Sequence, residues 1–468
     1  MEIAELEWVV GVPKVVQITE HLAATIRTGS LTPGARLPSI QALTRRFGVS
    51  KFTVVEALER LKAQQLIQSS QGRGFFVTHR HPSPVGVAMG ELLPQDFVSV
   101  LRRSLIGERA GMRPGCGFLP ESWTDGEGIR QALRQVSRQP RLRLAEYGEA
   151  AGYLPLRQAL QEKLSALGMS LAADQVVTMA NTMQGIDMLL RLLLRPGDVV
   201  LVDDPCYFNL HGILRLHGAR VVPVPRPPEG PDLQALRRVL AEHKPRLYLT
   251  AGLLHNPTGH SLVPAQAFGL LQLLAEFGCH LIEDDLYGDL LDGGAPRLAS
   301  LAGLRGVTYV SGFSKLLTAN LRVGYVAASP ELAADLAHLK LVCGGVTSEV
   351  SERVVLQLMR EGCYERNLRR VRHRLQEAGA RTDAWLLACG CQLPYAAPAG
   401  LFRWVRLPVG CDSEALARAA LAHGMVLAPG TLFTREPWGH DFMRLNLAHC
   451  DEAPVRERLG ALLARVRG

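Results

Sequence analysis

From about Gly111 onward the sequence alternates stretches of helical periodicity with short apolar runs, and this alternation restricts the chain to few folds. Four apolar runs are clear: 199–202, 247–250, 280–282 and 307–310. Strands that alternate with helices favour a mainly parallel sheet with helices packed on its faces. We therefore predict an α/β fold for the larger part of the chain.

Polar side chains follow three of these runs directly and the run 247–250 after four residues, AGLL. The four segments are DDPCY (203–207), HNPTG (255–259), EDDLY (283–287) and SGFSK (311–315). In open α/β sheets, ligands bind outside the carboxyl ends of the strands. We therefore expect the four strand ends to converge on one site.

The residue types at these strand ends suit one cofactor. Pyridoxal phosphate requires a lysine for a Schiff base, a carboxylate that keeps the pyridine nitrogen protonated, and donors for a dianionic phosphate. The chain has only seven lysines, so a lysine at a predicted strand end is informative. Taken singly, each residue is more typical of a surface lysine or a structural aspartate than of a cofactor site. The combination predicts a pyridoxal phosphate site.

The composition is that of a globular protein, with 47% hydrophobic and 21% charged residues among 468. This length suggests two or three domains of roughly 100–200 residues. No apolar run reaches the roughly 18 residues that span a bilayer, and the acidic start MEIAELEWVV is unlike a signal peptide. The nine cysteines form no C-x-x-C couple and no set with zinc spacing, so we expect reduced thiols and no metal. We expect a cytoplasmic protein without membrane contact.

Residues 13–80 form a distinct basic segment. They hold ten Lys and Arg against three Glu and no Asp, a net charge of +7 out of +8 for the whole chain. Such an excess indicates either nucleic-acid binding or merely an arginine-rich proteome. Because the positive charge is concentrated at one end of the chain, the location of the charge is more informative than its size.

The same segment has helix signals in close succession. Apolar residues spaced by three or four predict a helix from Val15 to Thr28. Ser39 can cap a second helix that ends near Phe47, Gly48 stops it, and Ser50 can cap a third. Two short helices joined by a tight Gly-containing turn predict a helix-turn-helix.

Two strand-like runs, 66–67 and 75–77, flank the sequence SSQGRG and predict a hairpin, or wing. In such a module the third helix offers polar side chains to base edges while cations hold phosphates. We predict Lys51, Thr53 and Arg73 as DNA contacts. The same elements are also typical of a small interaction module with a solvated basic face.

The segment resembles the GntR-type winged helix over nearly all of residues 13–78. The matching residues are LPS (37–39), Leu43, FGVS (47–50), TV (53–54), AL (57–58), Leu61 and QGRG (71–74). The resemblance implies contacts with double-stranded DNA from Arg36, Ser39, Ser50, Lys51, Thr53, Gly72 and Arg73. Phe52 departs from the family, where a small polar or basic residue is usual, so the base preferred at this position is open.

A linker separates this segment from the rest of the chain. Residues 79–90 mix Pro, Gly and small residues without a clear period, and residues 91–110 predict an amphipathic helix. We predict a winged-helix domain over 13–78, a linker and helix over 79–111, and a large domain over 112–468.

The large domain resembles the type I aminotransferases, whose motifs occur here in the same order. EYG (146–148) and GYLPLR (152–157) resemble an early block of that family, followed by the four strand ends described above. The resemblance implies a PLP-dependent transferase fold, with a mainly parallel sheet and a smaller C-terminal α+β subdomain.

The resemblance also implies roles for individual residues. Lys315 would carry pyridoxal phosphate as a Schiff base, Asp284 would pair with the pyridine nitrogen, and Arg444 would hold a ligand carboxylate through a bidentate fork. The other cofactor residues would be Asn256 and Tyr287 at the ring oxygen, Tyr207 over the ring, and Arg322, Thr182, Met183 and Ser314 around the phosphate, with Tyr147 reaching the phosphate of a partner subunit.

Two positions depart from the aminotransferase pattern. Asn181 stands where the phosphate loop has a glycine, and because Asn tolerates the positive φ of a glycine better than most residues, we expect the loop to be kept. Gly312 stands where a hydroxyl residue is frequent, three positions before Lys315, with Ser311 and Ser314 on either side. These departures concern the details of phosphate binding rather than binding itself.

A GntR-type winged helix followed by an aminotransferase-like domain resembles the MocR family of regulators. The resemblance implies a homodimer that binds operator DNA and senses a small amine or amino acid through the aldimine at Lys315. Two alternatives stay open: an active aminotransferase with a DNA-binding-like N-terminal domain, and a DNA-binding protein whose degenerate pocket serves only dimerisation. An alternative role for Arg444 is an ion pair with a neighbouring carboxylate.

Overall fold

The computed structural model of the chain divides into two units, Met1–Met89 and Gly90–Gly468. It describes residues 8, 13–27, 31, 34–63, 66–70, 74–77, 111–140, 142, 144–292, 295–344, 346–395, 397 and 399–466. Three sequence predictions lie outside these residues: the wing tip with Gly72 and Arg73, the linker over 79–90, and the helix over 91–110.

The N-terminal unit is a winged helix, as predicted. Its elements are α1 (Lys14–Arg27), α2 (Ile40–Phe47), α3 (Lys51–Ala63), β1 (Ile67–Ser70) and β2 (Gly74–Val77). The two strands pair antiparallel, with Ile67 opposite Val77 and Ser70 opposite Gly74.

Local signals set the ends of these helices. The Ser39 hydroxyl accepts a hydrogen bond from the backbone N–H of Ala42 at 3.2 Å, and Gly48 ends α2 in the left-handed conformation with φ 60°. The Ser50 hydroxyl accepts from the backbone N–H of Thr53 at 3.2 Å at the start of α3. The helices and the hairpin bury one apolar core, formed mainly by Ile18, Leu22, Leu37, Leu43, Val54, Ala57, Leu58, Leu61, Ile67 and Val77.

The second unit alternates helices and strands. Its helices are α4 (Gly126–Ser137), α5 (Leu154–Ala166), α6 (Thr182–Leu193), α7 (Phe208–Leu216), α8 (Leu233–His243), α9 (Pro264–Phe277), α10 (Leu298–Ala302), α11 (Pro330–Val342), α12 (Glu349–Arg360), α13 (Cys363–Ala388), α14 (Ser413–Ala422), α15 (Leu447–Cys450) and α16 (Ala453–Val466). Its strands are β3 (Val176–Met179), β4 (Val199–Asp204), β5 (Arg220–Pro225), β6 (Leu247–Thr250), β7 (His280–Asp284), β8 (Val307–Gly312), β9 (Gly324–Ala327), β10 (Phe402–Arg406), β11 (Ala428–Pro429) and β12 (Phe442–Asn446).

Seven of these strands form one sheet in the order β3-β9-β8-β7-β6-β4-β5. Strand β9 runs antiparallel to both of its neighbours, and the other pairs are parallel. Successive strand residues alternate between two apolar cores on opposite faces, so that Leu201 and Tyr248 lie on one side while Val200 and Leu249 lie on the other. Burial on both faces explains the nearly continuous apolar runs. The predicted mainly parallel sheet is confirmed.

The C-terminal part is a smaller α+β subdomain, also as predicted. Strands β10, β12 and β11 form an antiparallel sheet in that order, and α14 and α16 pack with it around a separate apolar core. The 26-residue helix α13 leads into this subdomain from the large sheet. The segment after residue 110 joins it too, since Met112 forms a parallel bridge with Met425.

In the part of the chain that the structure describes, no helix is long and apolar enough to cross a membrane. Within the same residues, no group of three His, Cys, Asp or Glu side chains is placed to hold a metal ion.

Candidate functional site

A cavity of about 500 Å³ lies at the carboxyl ends of the central strands. The ends of β4, β6, β7 and β8, the first turn of α6 and a side chain from β12 all face it. Of the predicted cofactor and ligand residues, those that line this cavity are Thr182, Met183, Tyr207, Asn256, Asp284, Tyr287, Ser314, Lys315, Arg322 and Arg444. Side chains that are separated by up to 262 positions in the sequence are therefore brought to one place.

Lys315 follows β8 and is partly buried in the wall of the cavity. Burial, with the nearby guanidinium of Arg444 adding to it, lowers the pKa of its ammonium group to about 8. A lysine with a lowered pKa is more readily deprotonated near neutral pH, and a neutral amine is the nucleophile that attacks a carbonyl. Its setting therefore suits covalent attachment of an aldehyde.

Asp284 ends β7, the strand next to β8. Its Oδ1 is buried and has no hydrogen-bond partner among the described residues. Burial, with the charge of Asp285 adding to it, raises the pKa of the Asp284 carboxyl to about 7, although Lys315 acts in the opposite direction. A cationic ring nitrogen beside this carboxylate would offset the burial and restore the anion. The unpaired oxygen thus fits a protonated pyridine.

The opposite end of the cavity is suited to an anion. The first backbone N–H groups of α6, at Thr182 and Met183, have no acceptor within the helix and point outward with the positive end of its dipole. The buried Oγ of Ser314 has no partner among the described residues. Arg322 lines the same end in the left-handed conformation, with φ 55°. These groups fit a phosphate.

The conformation of the phosphate loop has a different cause from the one expected. Asn181 has an extended backbone, with φ −174°, and its side chain caps α6 by accepting from the N–H of Gln184. Asn181 therefore does not adopt the positive φ that the expectation allowed for. Gly324 of β9 permits the close approach instead, since a Cβ there would lie 2.8 Å from the carbonyl carbon of Asn181 and 3.0 Å from the nitrogen of Thr182.

The aromatic residues predicted at the cofactor ring lie in the same cavity wall. The Tyr287 hydroxyl donates to the carbonyl of Gly117 at 3.2 Å, and its ring contacts Phe402 edge to face. Tyr207 follows β4 and contacts Phe208 edge to face, with ring centres 4.9 Å apart. Their roles at the cofactor stay predictions.

Arg444 reaches the cavity from the small subdomain. Its guanidinium donates to Asn256 Oδ1 at 2.8 Å and to the carbonyl of Gly115, and it lies between the rings of Phe402 and Phe433 at 4.6 and 4.8 Å. Its Nε has no acceptor. Among the described residues Arg444 forms no ion pair, so these contacts do not support the alternative of a structural carboxylate partner.

A buried charge network adjoins the loop of Asn256, and most of it was not predicted from the sequence. Arg226 donates to Asp203 Oδ2 at 2.8 Å and to the carbonyl of Ala251 at 3.0 Å, and Thr250 also donates to Asp203. Burial alone would raise the pKa of Asp203, but Arg226 together with His255 and Thr250 outweighs burial and holds that pKa well below its usual range. Asp203 is the first residue of the predicted strand-end segment 203–207, and this position is the signal that marked it.

The same network fixes the loop that carries Asn256. His255 lies 3.4 Å from Asp203 through Nε2 and 2.9 Å from the Thr258 hydroxyl through Nδ1. Burial lowers the pKa of His255 to about 4, so the imidazole is neutral at physiological pH. The loop between β6 and α9 is thereby tied to the strands below it.

Tyr147 does not line the cavity. Its side chain is 93% exposed in the single chain, on the segment before α5, where Leu144 is also 81% exposed. The predicted contact with a partner subunit is therefore not made within one chain.

The predicted DNA-binding residues lie on the N-terminal unit. Lys51 and Arg36 are exposed, and the Arg36 guanidinium lies beside Gly74 at the start of β2. Ser50 and Thr53 share a hydrogen bond of 2.9 Å between their hydroxyls at the first turn of α3. Ser39 is exposed at the start of α2, while Gly72 and Arg73 lie outside the described residues.

Comparison with known proteins assigns both units. Residues 125–462 match the family described as aminotransferase class I and II, and residues 14–77 match the bacterial regulatory proteins of the gntR family. The crystal structure of the α-aminoadipate aminotransferase LysN from Thermus thermophilus superposes with a TM-score of 0.72 and 28% identity, covering 79% of this chain and 95% of that one. The fold and the site thus define an aminotransferase-type protein, and the chain belongs to the aminotransferase class I and II family.

Two relatives match along almost the whole chain. The uncharacterized HTH-type transcriptional regulator YdcR of Escherichia coli is 29% identical, over 93% of this chain and 95% of its own length. The probable rhizopine catabolism regulatory protein MocR of Rhizobium meliloti is 26% identical, over 96% of this chain and 93% of its own length. With a gntR-family domain in front of its aminotransferase domain, this protein has the organisation of the MocR-type regulators.

The cofactor of this domain is pyridoxal 5′-phosphate. The residues present fit it, because Asp284 and Ser314 each offer a buried, unpaired oxygen and Lys315 offers a buried amine of lowered pKa. When bound, pyridoxal phosphate supplies an aldehyde that condenses with amines and a ring that withdraws electrons. Lys315 would hold the aldehyde carbon, Asp284 the ring nitrogen, and Ser314, Arg322 and the first turn of α6 the phosphate.

Proposed function

We propose that the protein is a transcription regulator that binds operator DNA through its winged helix and responds to a small amine bearing a carboxylate. The observation that carries the proposal is the placement of Lys315 and Arg444 in one buried cavity of a chain that begins with a winged helix. One side chain suits a primary amine and the other a carboxylate.

The N-terminal unit supplies the surface for DNA. Lys51 is exposed at the first turn of α3, and Arg45 and Arg46 are exposed at the last turn of α2. In a helix-turn-helix the second helix enters the major groove and cations nearby contact phosphates. The domain division that supports this proposal is a winged helix over 13–78, a linker and helix over 79–111, and an effector domain over 112–468.

The second unit supplies a means of sensing. Lys315 follows the large sheet, whereas Arg444 belongs to strand β12 of the small subdomain. A ligand that contacts both would favour one arrangement of the two subdomains over others. Sensing requires only that the ligand bind one state better than the other, and no turnover is needed.

A homodimer completes the proposal. Tyr147, Leu144 and Val342 are 93%, 81% and 83% exposed in the single chain, so all three are available for contact with a second copy. A second copy covering them would bring two winged helices to two half-sites of an operator with matching symmetry.

An active aminotransferase is the second candidate, because the residues suited to amine chemistry all line the cavity. One experiment separates the two functions. Duplexes are selected from a random pool with the purified yellow protein, and the best duplex is then titrated with a panel of amino acids. Visible absorption, duplex affinity and keto-acid formation are recorded together.

For the regulator, one amino acid should change absorption and duplex affinity over the same concentration range, with little product. Coupling of about 1–3 kcal/mol would change the duplex affinity by about 5-fold to 150-fold. Failure to select any duplex, or steady transamination with unchanged DNA affinity, would overturn the proposal in favour of the enzyme.

A further inference from the structure

Phe52 is a large apolar side chain that the N-terminal unit leaves in solvent. It is 76% exposed, and it is the second residue of α3. The apolar core lies against other positions of the same helix, where Val54, Leu58 and Leu61 are fully buried. Phe52 therefore contributes neither to the core nor to the helix cap, which Ser50 provides.

The setting of Phe52 is cationic. Lys51 precedes it and is exposed, and the last turn of α2 carries two further exposed cations, Arg45 and Arg46. Glu56 and Glu59, farther along α3, are paired with Arg60 and Lys62, so they leave little net negative charge on this helix. Charge complementarity favours a polyanion at the first turn of α3 over a basic protein surface.

A phenyl ring can distinguish base edges without any hydrogen bond. In the major groove, thymine presents its 5-methyl group where cytosine has only a hydrogen at C5, and adenine and guanine present polar atoms such as N7. A ring placed against those polar atoms would remove their water without supplying a partner, which is unfavourable. A ring placed against the thymine methyl group buries apolar surface of both the ring and the methyl group.

We propose that Phe52 selects thymine at one base pair of each half-site by contact with the 5-methyl group. The inference rests on the proposed DNA-binding function and adds to it the base and the atom that are recognised. It also accounts for the departure of this position from the small polar or basic residues of the GntR-type winged helix, because polar and basic side chains select by hydrogen bonding whereas a phenyl ring selects by apolar contact.

The test uses the full-length protein with its cofactor, and duplexes selected from a random pool. Wild type, Phe52→Ser and Phe268→Ser are compared. Phe268 is a matched control, since it is a phenylalanine of α9 that is 69% exposed in the second unit. Because Phe52 is exposed, Phe52→Ser should leave the thermal unfolding midpoint unchanged.

Wild type and Phe268→Ser should select a thymine in each half-site that Phe52→Ser does not select. Replacing that thymine with deoxyuridine removes only the methyl group. It should weaken wild-type binding about fourfold for one half-site and about 15-fold for both, as expected for burial of one methyl-sized group. Phe52→Ser should bind the two duplexes with equal affinity. When cytosine occupies this position, its 5-methylation should increase the affinity of the wild type.

Unchanged base preference in Phe52→Ser, or equal wild-type affinity for thymine and deoxyuridine duplexes, would overturn the inference while leaving DNA binding intact. A change in dimer formation without a change in base preference would also overturn it, and would assign Phe52 to a contact between copies of the chain. If wild type selects no duplex at all, the proposed function itself fails, and this inference fails with it.

Discussion

The Arg444 guanidinium donates to Asn256 Oδ1 at 2.8 Å, across 188 positions of sequence and between the small subdomain and the large sheet. Arg444 is buried, and its Nε has no acceptor among the described residues. A carboxylate that enters the cavity would therefore find one unused donor and one donor shared with a neutral amide. A charged acceptor competes well with an amide oxygen, because charge-assisted hydrogen bonds are the stronger ones.

We expect Arg444→Lys to weaken the response to carboxylate-bearing amines. Lysine keeps the charge but loses the planar fork, and the lost hydrogen bonds to a charged group are worth about 1.5–3 kcal/mol. The measurement is a titration of the visible absorption of the bound cofactor. Amines that match the amino acids but lack the carboxylate serve as controls and should bind both proteins equally. An unchanged response to the amino acids would remove Arg444 from the ligand site.

Asp284 should make the cofactor-free protein less stable as the pH rises. The pKa of Asp284 is about 7 in the folded state, whereas the ordinary value for aspartate is 3.8. Between these two pH values the folded protein therefore holds a proton that the unfolded chain has lost. The stability that Asp284 contributes is therefore present below pH 4 and is lost as the pH rises to 7. Asp284→Asn is neutral throughout and should not show this loss.

The measurement is the free energy of unfolding in urea from pH 4 to pH 8 for both proteins. The difference between them should grow by a few kcal/mol over this range, at about 1.4 kcal/mol for each pKa unit. Glu283, whose pKa burial raises to about 8, titrates in both proteins and cancels in the difference. Parallel pH profiles would show that Asp284 is already ionised without the cofactor.

Replacing Arg226 should lower the stability far more than replacing an exposed arginine that also forms an ion pair with a carboxylate. Arg226→Met leaves Asp203 buried and unpaired, which costs about 3–5 kcal/mol. Arg237 also pairs with a carboxylate at 2.8 Å, but its side chain is 54% exposed, and Arg237→Ala should change the stability little. Urea midpoints of the two variants test this contrast, and similar midpoints would contradict it.

Lys51 and Arg73 should govern the salt dependence of DNA binding. Each phosphate contact that is removed should lower the slope of log affinity against log salt by about one, so the double variant Lys51→Ala and Arg73→Ala should lose about two. Arg237→Ala removes an exposed cation from the second unit and should keep the wild-type slope. Wild-type affinity of the double variant at every salt concentration would exclude this face as the DNA surface.

Tyr147→Phe should weaken cofactor binding without separating the subunits. The hydroxyl is exposed within one chain, and a hydrogen bond to the phosphate of a partner subunit would be worth about 0.5–1.5 kcal/mol. Equilibrium dialysis measures the affinity for pyridoxal phosphate, and sedimentation measures the assembly. A wild-type protein that stays monomeric with its cofactor at micromolar concentration would defeat the prediction.

The sequence by itself determined the local structure and the order of the motifs. Ser39 and Gly48 bound α2 as their chemistry predicts, and the runs at 247–250 and 307–310 became β6 and β8 because burial on both faces requires continuous apolar residues. Polar residues soon after these strands marked the cavity. These signals lie within a few residues of one another, so a single sequence suffices to find them.

Only the tertiary structure decided how distant segments combine. The antiparallel insertion of β9 between β3 and β8, and the two-residue strand β11, leave no distinctive period in the sequence. The Asp203–Arg226 pair, the Asn256–Arg444 contact and the raised pKa of Asp284 arise because packing removes water from charges and joins elements far apart in the chain. Desolvation and long-range pairing depend on the folded environment, and no local pattern of residues records them.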